Sequence, residues 1–520
     1  MAHKHIKWDF TGKCNLRCKH CSVGKKYFTK ETAELSCQEK IAVVDNLASG
    51  NVNGISFLGG EPLFLGDDFF SVAAHAFAKG IKCTLVTNGL LLNDKNWHRI
   101  SASGIDQVVV SLDGASEKSH EFVRGKNTFK RVTGNIGGFS RYLKEKGSGI
   151  RVKINTVLNR LNIDEIGEMV ALCRKLGADE WTLLSLGGIG FAEDNIASLA
   201  LSPHEELLAA RRLAEVYTQR DPEDPLEIYP QFAYPLICDY IEKRYGLTLP
   251  KSQICCNAAI NLGFITPDGM LYPCDRIADE SYLGAHIGDA AIRPISLLTT
   301  PFYSIWNSDY FMNMFEFILN RRTYRHYRPC NNCKYLKDRS CNPCPLYAID
   351  SKVVVNTCMI AQEALGDISA EAQARQQAAP CKIKNRTGRN QNICKTFPSD
   401  HPIKGIVPTR RTGIRSFTEG DRGILLNPYS VEFVNMNGAG STLWEMIDGK
   451  TSVETISGQM EKIATQVRQQ VNAKGPQADL RATVRQKVHA FIRELHDAGL
   501  IRLTPPLTTG RFQPPTEKFR

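Results

Sequence analysis

Cys14, Cys18 and Cys21 lie three and two residues apart on one short stretch, just after the first apolar run of the chain. Three thiolates on so tight a loop can grip three corners of a four-iron, four-sulfur cubane. The fourth iron then lacks a protein ligand, and a small molecule with an amine and a carboxylate could chelate it. A zinc loop is the rival chemistry; zinc wants a fourth ligand, and His20 is available. A longer set follows. Cys255 and Cys256 adjoin, twelve residues separate Cys256 from Gly269, and four separate Gly269 from Cys274. Then come Cys330-x2-Cys333, seven residues, Cys341-x2-Cys344, and Cys358. By spacing alone, the two CxxC pairs would also suit a zinc ribbon. The chain has 17 cysteines and no apolar signal segment in MAHKHIKWDF, so a reducing, cytoplasmic setting is expected and metal ligation is favoured over disulfides.

Six short apolar runs must position the first loop: residues 5–10, 53–60, 81–89, 105–114, 150–159 and 178–186. Helical patterns such as CQEKIAVVDNLASG and IDEIGEMVALCRKLG lie between them. Strands alternating with helices imply a parallel sheet with crossover helices, an α/β fold covered on both faces. A partial (β/α)6 TIM-like barrel is expected, with its chemistry at the carboxyl ends of the strands. The turn residues fall there: Gly59-Gly60-Glu61-Pro62, Thr87-Asn88-Gly89, Ser111-Leu112-Asp113-Gly114 with Arg124 beyond, and Asn155. Residues 200–250 read as helical and unremarkable. Cys37, Cys83, Cys173 and Cys238 sit in apolar periodic stretches and read as packed core.

The 520 residues suit about three domains. A hydrophobic share of 42% and a charged share of 23% exclude disorder for most of the chain. No apolar run is long enough to span a membrane. The net charge of +11 is uneven: residues 381–420 carry nine Lys and Arg against Asp400 and Glu419. That segment reads as a solvated basic linker that could also meet an acidic peptide or nucleic acid. Beyond it, GIRSF, GILLN and VEFVNM read as three strands, and three helical patterns follow, the last running to Ile501 with Gly499 as its cap. Three strands followed by three helices suggest a small winged-helix module.

The Cys14–Cys21 spacing, with Gly59-Gly60-Glu61-Pro62 forty residues on, resembles the radical S-adenosylmethionine (SAM) superfamily over residues 4–190. The resemblance implies a [4Fe-4S] cluster on Cys14, Cys18 and Cys21 whose open iron binds SAM. It implies SAM cleavage to a 5′-deoxyadenosyl radical that abstracts a substrate hydrogen. His20 would lie near adenine, and Gly59, Gly60, Glu61 and Pro62 would hold the SAM ammonium. Thr87, Asn88, Ser111, Asp113, Arg124 and Asn155 would approach the ribose, carboxylate or substrate. The second cysteine set resembles the SPASM extension of radical SAM peptide-modifying enzymes, which holds two auxiliary [4Fe-4S] clusters. Here the middle block has seven and two intervening residues where the family has five and three. By that resemblance Cys256 (or Cys255), Cys274 and Cys344 serve an inner cluster, and Cys330, Cys333, Cys341 and Cys358 an outer one. Asp275 follows Cys274 where the related anaerobic sulfatase maturases carry a base.

Residues 406–503 resemble the precursor-peptide recognition element, the small peptide chaperone of pyrroloquinoline-quinone biosynthesis. The residues in question are Leu426, Pro428, Phe433, Asn435, Leu443-Trp444, Asp448-Gly449 and Val453. A leader peptide would add a strand beside Val431–Met436, with Val431, Phe433 and Asn435 as contacts. The expected organisation is therefore a barrel over 1–230, a SPASM domain over 231–365, a basic linker over 366–405, a recognition domain over 406–505 and a loose tail over 506–520. The expected enzyme is a peptide maturase that forms a carbon–carbon or thioether cross-link on a ribosomally made precursor peptide. Its expected cofactors are SAM and three [4Fe-4S] clusters, and its electron donor a flavodoxin or ferredoxin. Peptide epimerisation and formylglycine formation are the enzymatic alternatives. A zinc-ribbon, winged-helix nucleic-acid binder is the alternative from another class.

Overall fold

A computed structural model describes residues 4–29, 33–221, 223–249, 256–278, 294–312, 330–337, 341 and 357–366, and parts of 407–504. The chain divides into two compact units between Lys382 and Ile383.

In the larger unit the expected strands form as β1 (Lys4–Thr11), β2 (Val52–Gly59), β3 (Lys82–Thr87), β4 (Ile105–Ser111), β5 (Arg151–Val157) and β6 (Glu180–Leu184). They pair in parallel in chain order. Helices α1 (Gly24–Thr29), α2 (Cys37–Ser49), α3 (Asp67–Ala78), α4 (Asp94–Ala102), α5 (Glu117–Arg124), α6 (Phe129–Glu145), α7 (Ile166–Leu176), α8 (Phe191–Leu199), α9 (Pro203–Thr218) and α10 (Pro235–Tyr245) connect and cover them. Alternation on β1 sorts its side chains into two sets. Ile6, Trp8 and Phe10 are fully buried, and the Phe10 ring lies edge-on to Phe57 and Phe69 at 5.4 and 5.7 Å. Lys7 and Asp9 take the other face. Local signals start and stop the helices: Ser36 and Glu39 form a reciprocal capping box on α2, and Gly177, at φ 72°, ends α7.

The sheet is wider than the sequence pattern suggests. β7 (Glu227–Pro230) adds to β6, where only helix was expected; four residues are too few to show a period. On the opposite edge β8 (Leu262–Ile265) pairs in parallel with β1. β9 (Met270–Tyr272) and β10 (Ile295–Ser296) follow antiparallel, giving ten strands in the order β10-β9-β8-β1-β2-β3-β4-β5-β6-β7. The start of the cysteine-rich segment is thus built directly onto the strand that precedes the first cysteine loop. Cys83, Cys173 and Cys238 are core residues as expected, but Cys37 begins α2 and is only half-buried. A helix's first turn lies at the layer's rim, which an apolar pattern does not reveal.

In the smaller unit β12 (Arg415–Glu419), β13 (Arg422–Asn427) and β14 (Glu432–Met436) form an antiparallel meander. The helix Val453–Gln470 follows, with Val453, Ile456 and Met460 buried along one face. β11 (Val407–Arg410) pairs with β15 (Ile501–Thr504), so Ile501 opens a strand rather than ending a helix. Of the basic linker, residues 367–405 lie outside the described residues. Among the described residues no helix is long and apolar enough to cross a membrane.

Candidate active site and cysteine centres

The loop bearing Cys14, Cys18 and Cys21 is tied down at both ends. At its start, the Glu34 carboxylate accepts from Thr11 Oγ1 at 2.9 Å and from the Gly12 amide at 2.8 Å. The turn after β2 grips the same point, because Gly60 N donates to Thr11 O at 2.7 Å and Glu61 N to Lys13 O at 2.8 Å. Gly60 must be glycine for this approach: a Cβ there would lie 2.0 Å from Lys13 O. At its far end, Phe191 N donates to Cys21 O at 2.9 Å and Asn195 Nδ2 to Lys19 O at 3.2 Å. The Arg17 guanidinium lies 5.0 and 5.3 Å from the Phe28 and Phe191 rings, a cation–π contact that joins α1 and α8 to the loop.

The three thiols share one electrostatic setting. Burial pushes Cys18 up to about 12 and Cys21 up to about 11, and it raises Cys14 as well. Thiols so disfavoured as free anions become thiolates when bound iron replaces the proton. Two donors already point at sulfur: Asn88 Nδ2 at 3.9 Å from Cys14 Sγ, and an Arg124 terminal nitrogen at 3.9 Å from Cys18 Sγ. Among the described residues no three His, Cys, Asp or Glu side chains gather tightly enough to hold a single metal ion. A cubane takes one thiolate at each of three corners.

The strand-end residues converge on this loop. Glu61 is fully buried, and its carboxyl is pushed up to about 7 by burial. Its oxygens accept from Thr87 Oγ1 at 2.8 Å, Asn88 N at 2.8 Å and Leu63 N at 3.2 Å, so the side chain staples the end of β2 to the end of β3. Pro62 opens the short turn Pro62–Leu65, and Gly59 lies against Asp9. Asp113 is fully buried beyond β4; one oxygen accepts from Val157 N at 2.7 Å, the other from Arg124 Nε at 2.6 Å and sits 2.7 Å from His20 Nε2. Burial opposes its charge, but Arg124 and His20 outweigh burial and hold it well below the usual carboxylate range. Ser111 and Asn155 face each other in the β4–β5 register. His20 Nδ1, Asn155 Oδ1 and Asp9 Oδ1 are buried without a hydrogen-bond partner. Orphaned polar atoms on the cysteine loop and on β1 and β5 are what a polar cofactor would satisfy, so these residues fit SAM on an iron–sulfur cluster.

Of the second set, Cys330, Cys333, Cys341 and Cys358 come together: the first three add to the burial that raises Cys358 well above its ordinary value. Glu206 of α9 lies beside them and accepts from Thr357 Oγ1 at 2.5 Å. Cys256 and Cys274 are half-buried; Cys255 and Cys344 lie outside the described residues. Asp275 follows Cys274 and pairs with Lys7 of β1 at 3.8 Å. In the smaller unit Phe433 and Asn435 lie on β14, an edge of the described three-stranded sheet, and Val431 lies outside the described residues.

Residues 8–173 match the model of the radical SAM superfamily, 255–334 that of the SPASM iron–sulfur cluster-binding domain, and 422–501 that of coenzyme PQQ synthesis protein D (PqqD). The chain carries radical SAM, SPASM and PqqD domains. It is a radical SAM enzyme, dependent on SAM and iron–sulfur clusters. Among curated proteins it is similar to the AdoMet-dependent heme synthases of Nitratidesulfovibrio vulgaris (27% identity over 354 residues, 64% of this chain and 85% of that protein) and Methanosarcina barkeri (29% over 195 residues, 37% and 54%). Its fold is similar to that of Streptococcus suis SuiB bound to S-adenosylmethionine, with 17% identity, TM-score 0.51, and 68% of this chain and 76% of that one covered. It is similar also to anSMEcpe with bound AdoMet, with 14% identity, TM-score 0.50, and 72% and 98% covered.

The larger unit holds site residues that the sequence pattern did not single out. Asp9 is fully buried on β1; burial pushes its carboxyl up to about 7 although Tyr27 Oη donates to it. Asp9 stands two residues from Lys7 on one strand face, which alternation alone could have flagged. Glu34 and Glu206 had no such signal, since their partners are distant in the chain.

Proposed function

We propose that this radical SAM enzyme is a peptide maturase, which abstracts a hydrogen from a core residue of a ribosomally made precursor peptide and forms a carbon–carbon or thioether cross-link. The PqqD match at 422–501, in the same chain as the radical SAM and SPASM matches, carries this reading. The edge strand β14 supports it, because an extended leader can add there through main-chain hydrogen bonds. SuiB, a structural neighbour, has been crystallised with its precursor peptide SuiA.

Cys14, Cys18 and Cys21 would hold the first [4Fe-4S] cluster, Cys256 (or Cys255), Cys274 and Cys344 an inner auxiliary cluster, and Cys330, Cys333, Cys341 and Cys358 an outer one. When bound, SAM and its cluster supply hydrogen-atom abstraction. The turn Gly59–Pro62, stapled by Glu61 to Thr87 and Asn88, would help to hold SAM. His20 and Asn155 offer buried polar atoms to it, and Ser111, Asp113 and Arg124 wall the side toward β4. Asp275, kept ionised by Lys7, would take the proton that leaves when the new bond forms and an auxiliary cluster accepts the electron released from the substrate radical. A flavodoxin or ferredoxin delivers the electron. The domain limits proposed are those read from the pattern: 1–230, 231–365, 366–405, 406–505 and 506–520.

Haem formation is the second reading, because the two curated relatives described above are named as haem synthases. One experiment separates the readings. Anaerobically purified protein, carrying about twelve irons if three four-iron clusters are present, is given SAM, dithionite and any short peptide that a neighbouring gene is found to encode. Loss of two hydrogens from the peptide without a new aldehyde supports cross-linking. Unchanged mass in ordinary water with deuterium uptake in heavy water means epimerisation, and an aldehyde product means formylglycine. A peptide left untouched by an enzyme that converts an iron porphyrin means haem synthesis. A colourless zinc protein that binds duplex DNA would overturn the enzyme reading.

A further inference from the structure

We propose that Arg124 is a positioning residue for the first cluster: its guanidinium, clamped by Asp113, donates to the Cys18 thiolate and holds the cluster's reduction potential up. The inference rests on Cys14, Cys18 and Cys21 holding an iron–sulfur cluster.

Arg124 ends α5 and is buried, as is the Asp113 it binds. Three of its nitrogens meet protein atoms: Nε meets Asp113 Oδ2 at 2.6 Å, one terminal nitrogen meets Cys18 Sγ at 3.9 Å, and the other lies 3.5 Å from His20 Nε2. Asp113 is itself fixed by Val157 N on β5 and by His20, so the guanidinium cannot swing away without leaving the buried carboxylate short of its arginine cation. Its charge reaches all three thiols, lowering Cys14, Cys18 and Cys21 against the burial that raises them. The neighbouring His120 adds no second cation at neutral pH, because burial and Arg124 push it down to about 4.

A reduced cluster carries one more negative charge than an oxidised one. A fixed cation and a hydrogen bond on a ligand sulfur favour the reduced form and raise the potential. Arg124 and Asp113 together are near neutral, so removing either leaves one uncompensated charge beside the cluster. The two removals must therefore shift the potential in opposite directions, whereas a merely structural role would give one direction or none.

The test is an EPR-monitored redox titration of the full-length, iron-loaded protein, reading the signal that SAM addition perturbs, since that signal marks the first cluster. In Arg124→Gln the reduced-to-oxidised ratio at a fixed potential should fall about tenfold, equivalent to about 59 mV for one electron. Asp113→Asn should raise the ratio, and Arg124→Lys should stay near the parent. If one variant fails to load iron, the sign of the other still decides. Equal midpoints in all loaded variants, or shifts of one sign, would overturn the proposal. A parent protein with no SAM-perturbed signal would instead overturn the cluster reading on which it rests.

Discussion

Asp9 and the three loop cysteines carry predictions at the scale of single side chains. Burial raises the Asp9 carboxyl to about 7, so the folded chain keeps a proton there that the unfolded chain loses near pH 4. Its contribution to stability is therefore complete below the unfolded value and is lost as pH rises through about 7, at a slope of at most ~1.4 kcal/mol per pH unit. Asp9→Asn should flatten this loss: thermal midpoints at pH 5.5 and 8 should differ less in the variant than in the parent. Parallel pH profiles would show that Asp9 titrates normally. Replacing Cys14, Cys18 and Cys21 together by Ala should abolish 5′-deoxyadenosine formation while auxiliary iron remains. Continued SAM cleavage in that variant would remove these cysteines from radical generation.

At the scale of elements, the cluster loop is positioned by backbone contacts that side-chain chemistry does not advertise. Gly60 meets the loop near Lys13, and Gly190, at φ 66°, meets it at Cys21 and Ser22. A Cβ at Gly190 would come 2.3 Å from Ser22 O, in a backbone conformation that L residues rarely adopt. Gly60→Ala and Gly190→Ala should each cost about 1–3 kcal/mol of stability through overpacking. Both should lower iron retention in the first cluster, measured as iron per chain after desalting. Full iron and unchanged melting in both would mean the loop tolerates displacement. In the SPASM region, Cys330→Ala or Cys333→Ala should remove about four irons per chain and reduce solubility, because cluster binding is also folding energy. Iron content equal to the parent in both variants would contradict the outer-cluster assignment.

The proposed maturase would divide its labour along the two compact units of the chain. A chain ending near residue 400 should still cleave SAM without substrate but lose peptide modification. Adding residues 406–520 in trans should restore only part of it, since a tether supplies an effective concentration that is typically about millimolar for short flexible links. Within the recognition unit, Phe433→Asp should weaken leader binding more than Glu432→Lys, because successive strand residues face opposite sides. Titration of a labelled leader peptide into the full chain reads both. Equal weakening, or tight duplex-DNA binding with none to the leader, would return the module to the winged-helix alternative.

Much of this protein was legible before any fold was in hand, because its signals are local. Cys14, Cys18 and Cys21 share one loop, so their spacing alone suggests a three-cornered cluster grip. The first six strands announce themselves by apolar runs between helical periods, and the three strands of the recognition unit by their turns. β7, β10 and the β11–β15 pair are two to four residues long and leave no period to read. What the tertiary structure alone decided are the partners. Lys7 meets Asp275 because β8 and β9 extend the sheet past β1. Arg124 meets Cys18 because α5 returns its last residue to the loop. Glu206 meets the Cys358 group from a barrel helix. Each pair joins residues about a hundred or more positions apart, and no local pattern encodes such a pairing. It arises only when the parallel strands stack and their carboxyl ends gather at one rim.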